Sequence, residues 1–163
     1  MPDVLFAPWR YEYLVSDKQS GCIFCEAAAS KSDERSLVVF RGRRVFVLLN
    51  RYPYTNGHLM VAPVAHEAWF SDSDRETLLE LIETVARAQK ILVEAYRTDG
   101  LNVGVNFGSA AGAGVADHYH VHVVPRWAGD TNFMTVAAGV RVVPEELSET
   151  RRRLVPLFAG SAA

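Results

Sequence analysis

The chain has 163 residues, 49% of them hydrophobic and 22% charged, with a net charge of −2. That is the profile of one globular domain with a full core, without the excess positive charge that general nucleic-acid binding needs. No apolar run approaches the length of a membrane span, and Met1-Pro2-Asp3-Val4 lacks the charged and apolar regions of a secretion signal, so a cytoplasmic location is expected.

In chain order, Pro8-Trp9-Arg10-Tyr11-Glu12-Tyr13-Leu14 reads as a short aromatic arm, packed over the core edge or set near a ligand. The chain's 2 cysteines, Cys22 and Cys25, follow as one C-x-x-C, which in a reducing compartment suggests metal or redox use before a structural disulfide. Two thiolates are half of a tetrahedral site, and His66 and His118 are candidates to complete it. Residues 27–35 read as a short helix or loop.

Residues 37–41 and 44–50 are β-rich runs, with Gly42-Arg43 as the turn between them. A Pro- and Asn-Gly-containing loop leads to a strand over 57–63, opened by Gly57 and His58, with His66 just beyond it. Ser73-Asp74-Arg75-Glu76 has the pattern of a capping box with Ser73 at the N-cap. From Asp74 to about Arg97, Leu78, Leu81, Ile82, Val85, Leu92, Val93 and Tyr96 recur mostly at spacings of three and four, which predicts one long helix. Residues 101–107 alternate as a strand, and 108–116 form a glycine-rich loop whose N–H groups are suited to phosphate oxygens. It is not a Walker loop, because no Gly-Lys-Ser/Thr follows.

Asp117-His118-Tyr119-His120-Val121-His122-Val123-Val124-Pro125 carries three of the chain's 5 histidines at alternate positions. Strand alternation predicts the three imidazoles in a row about 7 Å apart, with Tyr119, Val121 and Val123 facing a core and Pro125 ending or edging the strand. Such a row has two chemical uses, as a covalent nucleophile or as a set of metal ligands. Residues 140–143 read as an extended stretch. Residues 144–154 read as a helix with acids first and bases last, Glu149 and Arg153 paired one turn apart, and Arg151-Arg152-Arg153 at its solvated end.

His118-Tyr119-His120-Val121-His122-Val123-Val124, together with Asn50-Arg51-x-Pro-x-x-x-Gly57-His58-x-x-Val61-x-Pro63, resembles the signature of the histidine triad (HIT) superfamily of nucleotide hydrolases and transferases. Pro8-Trp9-Arg10 and Pro125-Arg126-Trp127-x-Gly129-Asp130-x-Asn132-Phe133 look like its fragile histidine triad and bacterial diadenosine tetraphosphate phosphorylase-hydrolase branch. The resemblance covers about residues 20–127. It implies an α+β fold, an antiparallel sheet of about five strands with one long helix and a C-terminal helix. The expected layout is a single domain over 1–163, with an arm at 1–19 and an extension at 128–163, paired as a homodimer.

The resemblance also implies roles. His120 would attack the α-phosphorus of a dinucleoside polyphosphate such as diadenosine tetraphosphate and carry the nucleotidyl group, with water or phosphate as acceptor. His58 and His122 would contact phosphate or hold His120 in its tautomer. Asn50 matches the ribose-binding position, Leu48 the base pocket, and Ala113, Gly114, Val115 and Ala116 the phosphate loop. Cys22, Cys25, His66 and His118 match a structural Zn²⁺ site, with no organic cofactor. The implied partners are a nucleotide substrate and a second copy of the chain, with no nucleic-acid polymer and no membrane. The departure is at Gly114 and Val115, where many members carry Gln or Ser, so the leaving-group half of the site is stripped of polar side chains. A nucleoside phosphoramidase of the same superfamily, or a metal-dependent hydrolase using the histidine row, are the alternatives.

Overall fold

The computed structural model describes residues 21–130 and 145–160. Its elements are α1 (Ile23–Ala29), β1 (Val38–Arg41), β2 (Val45–Leu49), β3 (Leu59–Pro63), α2 (Arg75–Tyr96), β4 (Gly100–Val105), β5 (Val121–Arg126) and α3 (Leu147–Gly160). Single 3₁₀ turns lie at Phe70–Asp72 and Ser109–Ala111. All strand pairs are antiparallel, in the order β1-β2-β3-β5-β4, so the expected α+β architecture with a five-stranded sheet is what the chain forms.

β2 and β3 are buried along their whole length, which is why they read as unbroken apolar runs. Val45, Val47, Leu49, Leu59 and Val61 face a core shared with Leu81, Val85, Ala88, Ile91 and Leu92 of α2 and Leu154 and Phe158 of α3. The alternate residues Phe46, Leu48, Met60 and Ala62 pack with Phe24 and Ala27 of α1. α1 therefore covers the face of the sheet opposite α2 and α3. Arg41 fixes α1 there by giving hydrogen bonds to the carbonyls of Ala28 and Ala27, both at 2.8 Å, at the helix end where backbone acceptors are left over.

The long helix is capped by Asp74, not Ser73; Asp74 Oδ1 accepts the Thr77 N–H at 2.8 Å. Its buried stripe is Thr77, Leu81, Thr84, Val85, Ala88, Ile91 and Leu92, while Ile82 and Val93, counted as core by spacing, are exposed. Gly57 is required twice over. Its φ is +73°, and a Cβ there would stand 2.9 Å from the Tyr96 ring.

The C-terminal helix starts at Leu147 and runs through Pro156 to Gly160, so the arginine triplet lies in its middle and not at its end. Arg152 pairs with Glu149, Arg153 reaches Glu145 at 2.7 Å, and Arg151 donates to the Val38 carbonyl, in place of the expected Glu149–Arg153 pair. Pro125 does not end β5. It lies past the last β3 pair, Leu59↔Val123, where a missing N–H forfeits no bond to β3. The N-terminal arm, the 140–143 stretch and most of the loop after Gly129 fall outside the described residues. Among the described residues no helix is long and apolar enough to cross a membrane.

Candidate active site and metal centre

The histidine row departs from a regular strand. Tyr119, Val121 and Val123 do face the core, but sheet pairing begins at Val121, opposite Val61 and Val105, so His118 and His120 precede the first rung. The imidazoles part company as a result. His120 and His122 stay together, ring centroids 4.8 Å apart at 74°, while His118 turns to the two cysteines.

Cys22 is the N-cap residue of α1 and Cys25 lies in its first turn. His118 Nδ1 lies 3.3 Å from Cys22 Sγ and 3.6 Å from Cys25 Sγ, and His66 Nδ1 lies 3.2 Å from Cys25 Sγ. The four ligand atoms fall within 4.8 Å of one another. Two sulfurs and two imidazole nitrogens at such separations can close a tetrahedron of the kind that structural Zn²⁺ sites use. His118 is prepared for this role, because its Nε2–H donates to the Pro63 carbonyl at 2.9 Å and leaves Nδ1 as the lone-pair atom. Burial, and then the neighbouring Cys22, push the Cys25 thiol up from its ordinary range; a divalent cation between the sulfurs reverses that effect.

His120 is 5% exposed. Its Nδ1–H donates to the main-chain carbonyl of His118 at 3.1 Å, which leaves Nε2 with the lone pair. Burial holds its pKa below the usual histidine range, so the ring is neutral and nucleophilic near neutral pH. The Phe24 ring packs on it at 4.5 Å and on His118 at 5.1 Å. Phe24 has no motif of its own; the one signal is that it lies inside C-x-x-C.

A second histidine pair lies alongside. The Tyr54 N–H donates to His58 Nδ1 at 3.1 Å, so His58 carries its proton on Nε2 and presents it to His122 Nδ1 at 2.9 Å. His122 in turn carries its proton on Nε2, free for an acceptor in the site. Burial, and then His120, bring the His122 pKa down to about 4. The Tyr54 ring lies against His58 at 4.7 Å, a contact that the sequence pattern did not flag.

The other candidates share this face of the sheet. Leu48 pairs with Met60, Met60 with His122, and His122 with Gly104, so one transverse row links Leu48 to His122. At strand spacing their Cα atoms are about 10 Å apart. Beyond His122 a Cβ on Gly104 would meet nothing within 4 Å. Asn50 follows β2 beside His58, donating its N–H to the His58 carbonyl at 3.0 Å and accepting the Tyr52 N–H on Oδ1 at 2.9 Å. In the glycine-rich loop, the Gly112 and Ala113 amides are taken up by the Ser109 and Gly108 carbonyls. Gly114 is exposed, Ala116 half-buried, and Val115 packs with the Leu48–Met60 cluster.

With this geometry in place, comparison with known proteins gives its class. The HIT domain family matches residues 31–129. The chain belongs to the HIT domain family. It is similar to AP-4-A phosphorylase of Mycobacterium tuberculosis, 44% identical over 128 residues that cover 78% of this chain and 66% of that protein's own length. Its fold is like that of a Zn-bound histidine triad family protein from Mycobacterium smegmatis, with a TM-score of 0.69 at 28% identity over 85% of this chain and 94% of that one. It is also like a hypothetical histidine triad nucleotide-binding protein from Sulfolobus tokodaii, with a TM-score of 0.66 at 27% identity over 85% of this chain and 92% of that one.

Proposed function

We propose that this protein is a nucleotidyl hydrolase or phosphorylase acting on dinucleoside polyphosphates such as diadenosine tetraphosphate, with His120 as its nucleophile. The observation that carries this reading is the Nδ1–H of His120 held by the His118 carbonyl, which leaves Nε2 as a buried lone pair. In the first step the Nε2–phosphorus bond forms and the bond from the α-phosphorus to its bridging oxygen breaks, that oxygen leaving with the electron pair. In the second, an oxygen of water or phosphate attacks phosphorus, the N–P bond breaks with its electron pair returning to Nε2, the proton lost by water passes to solvent, and neutral imidazole is left. His122 Nε2–H is the donor toward phosphate oxygens, and the Gly114, Val115 and Ala116 amides are further donors. Leu48 and Asn50 take base and ribose.

Cys22, Cys25, His66 and His118 would hold one zinc, as the Zn-bound Mycobacterium smegmatis relative suggests. When bound, it supplies a cross-link between α1, the segment after β3 and the histidine segment. A metal-dependent hydrolase built on the whole row finds less support, because His118 faces the cysteines while His120 and His122 do not. The same reading takes one domain over residues 1–163, a cytoplasmic location and a homodimer joined through β4. In support of the dimer, β4 is an edge strand with Val103 exposed, and Ile82, Val93 and Trp69 are further large apolar residues left exposed.

Product analysis on diadenosine tetraphosphate, with and without inorganic phosphate, is the test. ADP plus ATP only when phosphate is present means a phosphorylase, the activity named for the Mycobacterium tuberculosis relative. AMP plus ATP means a hydrolase, and no cleavage in either condition overturns the reading.

A further inference from the structure

His118 and His120 hang beyond the first rung of β5, so something other than sheet pairing must hold them. We propose that Glu67, Ser73 and Tyr119 form a positioning clamp that ties the metal centre to the imidazole of His120. The Tyr119 N–H donates to the Glu67 carbonyl at 2.8 Å. The Ser73 hydroxyl donates to the Glu67 carboxylate, so the Tyr119 hydroxyl, 2.6 Å from Ser73 Oγ, donates to Ser73. Glu67 thus holds Tyr119 at both ends, directly at the backbone and through Ser73 at the phenol. Tyr119 is 1% exposed, with the Phe70 ring edge-on at 5.0 Å. Ser73 adjoins Asp74, the cap of α2, so the clamp is anchored to the longest helix.

The link to the chemistry is one peptide group. The carbonyl that accepts His120 Nδ1–H and the amide that donates to Glu67 are the two ends of the planar unit between His118 and Tyr119. Rotating that plane breaks both bonds together. The same clamp joins the neighbours of two metal ligands, Glu67 after His66 and Tyr119 after His118. None of the three residues need touch the substrate. They act by keeping His120 in its Nδ1–H form and the ligand pair at its spacing.

This rests on the proposed role of His120, and the test separates the two. In zinc-loaded protein, imidazole ¹⁵N shifts report the His120 tautomer with no substrate present. Wild type should show the Nδ1–H form alone. Tyr119→Phe and Ser73→Ala should each show both neutral tautomers, release zinc to a chelator faster, and lose about ten- to hundredfold in kcat with KM little changed. Ser73→Thr, which keeps the hydroxyl, should restore all three. A single Nδ1–H form and a wild-type kcat in both Tyr119→Phe and Ser73→Ala would overturn the clamp. Mixed tautomers in those variants, beside a His120→Asn enzyme that still turns over, would keep the clamp and remove His120 as nucleophile.

Discussion

His58 Nε2 lies 2.9 Å from His122 Nδ1, and that contact sets which nitrogen of His122 is left to donate into the site. His58→Ala takes the donor away and leaves a buried acceptor unpaired, at about 1–3 kcal/mol. kcat/KM should fall about tenfold or more, with a smaller change in nucleotide affinity. Unchanged kinetics in His58→Ala would mean that His122 does not work through its Nε2–H.

His120→Asn should abolish turnover while nucleotide binding, followed by calorimetry, survives. Acid quenching of the wild-type reaction should trap an adenylylated protein, and the variant should trap none. More than a small residue of activity in the variant would rule out His120 as the covalent carrier.

Elemental analysis of protein never exposed to chelator should find about one zinc per chain. Removing it, or replacing Cys25 with Ser, should lower Tm. Protein without zinc would refute the assignment of the cluster. Zinc whose removal stops turnover while Tm holds would refute its structural role.

Stability should fall in mild acid. His122 has a folded pKa of about 4 against an ordinary 6.5, with burial as the first cause. Between those values the unfolded chain takes up a proton that the folded chain refuses, so stability is complete above 6.5 and is lost as pH falls toward 4. His120 is shifted in the same direction. At about pH 5 the His122 share comes to about 2 kcal/mol. Acid release of zinc acts the same way, so the readout is the difference between wild type and His122→Asn in denaturant midpoints at about pH 7.5 and about pH 5. Equal losses in both proteins would mean that His122 titrates normally.

The glycine-rich loop separates shape from donors. Gly114→Val should crowd the phosphate path and lower kcat/KM across substrates. Gly114→Gln should instead alter the ratios among diadenosine triphosphate, diadenosine tetraphosphate and an adenosine phosphoramidate more than it alters AMP binding. If both variants leave every ratio as in wild type, the loop does not face the leaving group.

What could be read from the residues was what repeats or is spaced. The histidine alternation, the C-x-x-C and the 3.6-residue stripe located β5, the cluster and α2. Tertiary competition was invisible. Ser73 has the signature of a cap, but its hydroxyl is engaged with Glu67 and Tyr119, and Asp74 caps instead. Pro156 looked beyond the helix, yet α3 runs through it, with Leu154 and Phe158 packed into the core on either side. The row of imidazoles is not regular, because period-2 geometry needs partner strands and among the described residues no strand pairs with residues 118–120.

The transverse row from Leu48 through Met60 to His122 works as a ruler. Its length is set by backbone hydrogen bonds between strands, not by the side chains that stand on it. Exchanging the buried Met60 for a larger or smaller residue changes the packing between Leu48 and His122 and leaves the Cα span between them the same. With Leu48 at the base and His122 at phosphate, as proposed above, preference for one nucleobase over another would drift with such exchanges while the distance between the two positions stays put.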